Sequence, residues 1–178
     1  DDIDALVAGN TAFALALYRV ISEQDGNLFA SPYSISVALG MTYAGARAAT
    51  ETQMADTLRF ILPQSALHPA FNTLDLELAS RGEGASGLDG DPFRLHVVNQ
   101  LWGQRDHSFL PAFLDTLSVN YGAGVRLLDF QTSPETCRHE INAWVEDQTE
   151  QRIRNLIPQG GVTSLTRLVL ANAIYFKA

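Results

Sequence analysis

Charge is missing where this chain is most apolar. From Gly26 to Ala46 there is no Asp, Glu, Lys or Arg, yet Ser31, Ser34, Ser36 and Thr42 are spread through the run. A helix without a charged face is buried, and its hydroxyls then need partners inside the protein. Pro32, Gly40 and Gly45 interrupt the run, and with Asn27 and the four hydroxyls they argue for a buried helix over a membrane span. Cysteine is nearly absent: Cys137 stands alone, which excludes an intrachain disulfide. That fits a reducing compartment and does not exclude secretion. The chain opens on Asp1, Asp2 and Asp4 in place of a basic-then-apolar leader. The expectation is a secreted or cytoplasmic protein, since a processed start would read the same. Lysine occurs once, at Lys177, against 11 arginines.

Catalytic signatures are missing too. There is no G-x-S-x-G elbow, and Ser31-Pro-Tyr-Ser34 lacks the lysine of S-x-x-K. The glycine-rich Gly82–Gly87 stretch lacks the Lys-Ser/Thr end of a phosphate loop. Cys137 and His139 are two ligands at a spacing that does not make a zinc site, and His68, His96 and His107 have no paired pattern, so no metal and no cofactor is expected. Glu146 and Glu150 are i, i+4 on one helix and read as a solvated face. A formal charge of −8 argues against nucleic acid and against anionic membrane as partners. The expectation is a protein that is not an enzyme. A small hydrolase using Ser31 or Ser34 is the alternative from another class.

What is present suits one domain with a real core: 178 residues, 46% apolar and 18% charged. Apolar spacing predicts a first helix over about Asp4–Glu23. Asn27–Ala30 reads as a short strand. Ser31-Pro32 is the start chemistry of a second helix, serine capping free N–H groups and proline fitting the first turn. A third helix is expected from Thr50 to about Phe60 and a fourth around Leu67–Leu78. Gly82–Asp91 is the most loop-like stretch. Leu95–Trp102 reads as a strand covered on both faces. Pro111–Tyr121 is helical, with Phe113, Leu114 and Leu117 inward, and Val125–Phe130 is a strand. Ser133-Pro134 opens a helix by the same cap chemistry, placing Cys137, Ile141, Trp144, Val145 and Gln148 on one face. Leu168–Phe176 is a near-continuous apolar run, as in a central strand. Helices come first and strands follow between helices, which suits an α+β fold, with α/β the alternative.

Several of these stretches, in order, resemble one family. Asn27-Leu-Phe-Ala-Ser-Pro-Tyr-Ser34, followed by Gly45-Ala-Arg-Ala-Ala-Thr-Glu-Thr-Gln53, is similar to the second-helix region of serpins. Asn142-Ala-Trp-Val145, Thr149 and Arg152–Ile157 resemble their helix F, Phe93–Gln104 with Asn99 their second strand of sheet A, and Leu168–Lys177 their third. The resemblance covers nearly all of this chain and roughly the N-terminal half of a serpin. It implies helices packed on a large mixed sheet, incomplete here.

The resemblance also implies a mechanism. Serpins are suicide inhibitors of serine proteases, and some act on cysteine proteases. An exposed reactive-centre loop is attacked and then inserts into sheet A, dragging the protease with it. The loop, its hinge and the acceptor strand would lie in the remaining C-terminal segment, so the 178 residues alone are not expected to trap a protease. Ser31, Ser34, Asn99 and Asn172 match the shutter that gates the sheet. Asn142, Trp144, Val145 and Thr149 match the helix that docks across it. Gln64–Arg81 carries Asp75, Glu77 and a single arginine, so no heparin site is expected. A non-inhibitory serpin, a chaperone or carrier, is the alternative within the family. The arginine skew and acidic composition allow a prokaryotic source.

Overall fold

The structure, a computed structural model, describes residues 1–81, 84 and 94–177. The expected 82–91 loop therefore lies outside the described residues, apart from Gly84. Backbone contacts divide the chain into two compact units: Asp1–Arg81 with Asp115–Gly122, and Gly82–Leu114 with Ala123–Ala178.

The first unit is helical. Its elements are α1 (Asp2–Ile21), α2 (Pro32–Tyr43), α3 (Ala48–Leu58), α4 (Gln64–Ser80) and most of α5 (Pro111–Tyr121). Asp1 caps α1 by accepting from Asp4 N at 2.8 Å. Ser31 caps α2 by accepting from Ser34 N at 3.3 Å, with Pro32 in the first turn. Thr50 does not open α3, which begins at Ala48 after Arg47 in extended backbone. Arg47 serves the preceding helix instead, its guanidinium donating to the Ala44 and Ala46 carbonyls at 3.0 and 2.6 Å. α3 ends on Arg59 in the left-handed region (φ 59), a place glycine usually takes. The Arg59 carbonyl is why Gly9 of α1 bears no side chain: a Cβ there would lie 2.3 Å from that oxygen. Met41, Leu67, Phe71 and Tyr43 are among the most buried residues of this unit, whereas Leu76 and Leu78 of α4 are exposed.

Asn27–Ala30 forms no strand. A strand needs a ladder partner, and this segment has none among the described residues. Leu28 is exposed and Phe29 is 77% exposed.

The second unit is a three-stranded mixed sheet crossed by one helix. β1 (Arg94–Gln104) lies between β2 (Val125–Leu128), parallel to it, and β3 (Leu168–Lys177), antiparallel. β3, read as a central strand, is an edge of the described sheet, and β1 takes the centre. Alternation puts Val98, Gln100 and Trp102 on one face, opposite Ala173, Ala171 and Val169. That face packs on α6 (Pro134–Gln148) through Ile141, Val145 and Cys137.

Three local expectations fail here. β2 stops at Leu128 because Asp129 turns the chain: its carboxylate accepts from Thr132 N at 3.1 Å and Thr132 Oγ1 at 2.6 Å. Those bonds hold the carboxyl below its usual range. Ser133 makes no side-chain cap on α6, although Pro134 does begin it. In α5, Phe113 and Leu117 are buried as expected, but Leu114 is exposed.

Candidate functional site: a carboxamide seam and a crossing helix

Asn99 and Asn172 stand directly opposite each other across the antiparallel β1–β3 pair. Their side chains therefore share the sheet face that α6 does not cover. Asn172 Nδ2 donates to Asn99 Oδ1 at 2.6 Å, and both residues are half-buried. Leu101 and Leu170 follow on the same face, Leu101 fully buried. Asparagine is a poor strand former, and a lost partner for a buried amide costs about 1–3 kcal/mol. Two of them in register make a polar bond in an otherwise apolar row.

On the opposite face, α6 is held in two ways. Val145 is fully buried against the sheet. Trp144 is half-buried and meets Trp102 edge to face, with centroids 5.1 Å apart, while the Arg126 guanidinium lies 6.0 Å from the Trp144 ring. Asn142 and Thr149 instead fasten the segment that follows the helix. Asn142 Nδ2 donates to the Ile157 carbonyl at 2.9 Å and Asn142 Oδ1 accepts from Ile157 N at 2.8 Å. Thr149, almost fully buried, donates to the Val145 carbonyl at 2.8 Å and accepts from Ile153 N at 3.1 Å. Arg138 was not singled out from the sequence. It is buried, and it joins Glu135 at 2.9 Å and the Ile157 carbonyl at 3.2 Å. Its i, i+3 carboxylate was the available signal.

In the first unit, Ser31 is the α2 cap already described, and Ser34 is buried at 1% exposure. Ser36, fully buried, donates to Asn10 Oδ1 of α1 at 3.1 Å. Asn10 falls at the apolar spacing that predicts the first helix. An amide at that spacing, facing a helix whose hydroxyls needed partners, was the clue to its role.

Burial raises the pKa of the Cys137 thiol, and His139 is exposed, with Nε2 3.1 Å from Arg138 Nη2. Among the described residues no three His, Cys, Asp or Glu side chains converge on a metal position.

The family model Serpin (serine protease inhibitor) matches residues 8–178. The chain belongs to the serpin family. It is 40% identical over 177 residues to rat leukocyte elastase inhibitor A, covering 98% of this chain and 44% of that protein. Among solved structures, this serpin chain superposes on emu ovalbumin with a TM-score of 0.82 at 28% identity, over 97% of this chain and 46% of the other. It matches Arabidopsis AtSerpin1 in its native stressed conformation with a TM-score of 0.76 at 29% identity, over 99% and 44%. It thus spans less than half the length of the serpins it matches. The α+β architecture of helices and a mixed sheet A is that of an incomplete serpin fold.

Proposed function

We propose that the complete protein is an inhibitor, and not an enzyme, that traps serine proteases by inserting a cleaved loop into the sheet containing β1 and β3. The observation that carries this reading is the chain-long likeness to leukocyte elastase inhibitors. Elastase-like serine proteases are accordingly the first targets to test. Both units are taken as parts of one folding domain. It is completed by a C-terminal segment supplying the reactive loop and further strands for the sheet.

In this reading Asn99 and Asn172 are the sheet side of the conformational gate. A hydrogen bond between carboxamides can break and re-form with new partners as strands part, whereas interdigitated apolar side chains resist sliding. Ser31 and Ser34 are the helical side, assigned by the resemblance. Asn142, Trp144, Val145 and Thr149 set how firmly α6 and its return segment hold to the sheet they must yield for a new strand to pass. Leu15 and Tyr18, exposed one turn apart on α1, are side chains suited to cover by the rest of the chain.

The test uses the full-length protein with neutrophil elastase, chymotrypsin and trypsin. A covalent complex that survives SDS with at least one of them is the expected result. Cleavage of the protein with no complex would point to a non-inhibitory serpin. Ester turnover abolished by Ser31→Ala or Ser34→Ala would point to a hydrolase.

A further inference from the structure

The first unit contains an imidazole that the inhibitory cycle does not use. His68 lies one turn into α4 and is 3% exposed. Its Nδ1 is 2.7 Å from Tyr121 Oη, on the last residue of α5, and the two rings meet edge to face with centroids 5.7 Å apart. The other nitrogen, Nε2, is buried without a hydrogen-bond partner among the described residues. Tyr121 is fixed from a second side. Its hydroxyl lies over Gly40 of α2, 3.0 Å from where a Cβ would stand, with the Phe71 ring next to it. Burial raises the Tyr121 pKa, so the group meeting His68 is a neutral phenol.

A neutral imidazole suits this site because one nitrogen is bonded and the other need not donate. An imidazolium does not, since both nitrogens then donate and Nε2–H would be buried with no acceptor. The ionisable groups around the ring do not rescue it. Tyr43 of α2 faces it at 6.2 Å between centroids, and Tyr33 of α2 lies toward Tyr121. The Arg47 guanidinium repels a second positive charge. Glu51 of α3 is taken up by Gln64 at 2.9 Å, and Asp75, further along α4, faces Tyr33.

We infer that His68 and Tyr121 form an acid-sensitive catch, which holds the Asp115–Tyr121 half of α5 on α4 at neutral pH and lets it go in mildly acidic solution. Burial first, and then Arg47, lower the imidazole pKa from 6.5 to about 4 in the closed state. Once α5 leaves, the exposed ring regains its ordinary pKa. Between those two values the open form binds a proton that the closed form does not. The closed form therefore loses ground as pH falls from 6.5 towards about 4, and loses no more below that. The opening equilibrium rises by about 30-fold between pH 7.5 and pH 5.0.

The experiment is amide hydrogen exchange on the full-length protein at those two pH values, corrected for intrinsic exchange. It does not depend on whether the protein inhibits a protease. In the wild type, protection across Asp115–Tyr121 should fall by about 30-fold at the lower pH. His68→Gln keeps an amide able to bond Tyr121 but cannot take up a proton, so its protection should stay nearly constant. An equal loss in both proteins, or none in the wild type, overturns the inference. Should His68→Gln not fold, NMR titration of the wild-type imidazole decides alone. A resonance still neutral at pH 5.0 supports the catch, and one titrating near 6.5 refutes it.

Discussion

Asn142 holds more than its place on a helix requires. One carboxamide donates to and accepts from the same backbone residue, Ile157, which lies 15 positions downstream. Leucine there would leave the N–H and carbonyl of half-buried Ile157 with fewer partners, and alanine would also open a gap. Asn142→Ala should therefore destabilise the full-length protein by about 2 kcal/mol, two neutral hydrogen bonds lost at a mostly buried site. Calorimetry would read this as a lower Tm, and hydrogen exchange should show the loss centred on residues 149–157. A Tm unchanged from wild type would mean that apolar packing and the bonds of Arg138 and Thr149 hold the return segment without Asn142. Residues whose role follows from local chemistry were legible in the sequence. Ser31 before Pro32 is a cap, and Val145 lies on the buried face of its helix. Asn10 and Arg138 were not, because each is defined by a partner 26 or 19 residues away. Ser133 looked like Ser31 in sequence and failed as a cap, since the Asp129 turn had already set its backbone.

At the scale of elements, the grip of α6 on the sheet is concentrated in a few side chains. Trp144 contacts Trp102 below and Arg126 to the side while remaining half-buried. Trp144→Ala should cost about 2–3 kcal/mol, at or below the low end for a large aromatic because part of the ring already meets water. Chemical denaturation of the full-length protein would measure it. A loss under about 0.5 kcal/mol, the level of an ordinary surface change, would show that Val145, Ile141 and Cys137 carry the docking without Trp144. Helices were legible as elements because each has its own period and its own stop. Asn27–Ala30 was not, because a strand is defined by a neighbour and the apolar letters alone do not supply one. The same reason put Leu168–Phe176 at the centre of a sheet in the sequence reading. Its composition tells how apolar its surroundings are, not which strand lies beside it.

For the whole molecule, the gate proposed at Asn99 and Asn172 is where the ease of separating two strands is tested. Asn172→Leu in the full-length protein removes the donor at 2.6 Å and leaves the Asn99 amide facing a hydrocarbon. The temperature at which the protein polymerises or turns latent should change, measured by native gels after graded heating. No shift would count against a gating role for the pair. The serpin resemblance was legible over almost the whole chain because it rests on ordered stretches. How its polar residues pair was legible only in part. Two asparagines 73 residues apart can be matched to a family, but their register comes only from the folded sheet.

The chain has two tryptophans, and they touch. One indole is rooted in the central strand and the other in the crossing helix, so the near-ultraviolet signal of these residues is a built-in gauge of the gap between them. If this helix lifts to admit a new ribbon of backbone, the coupled pair separates and its optical signature changes, with no dye attached and no residue replaced.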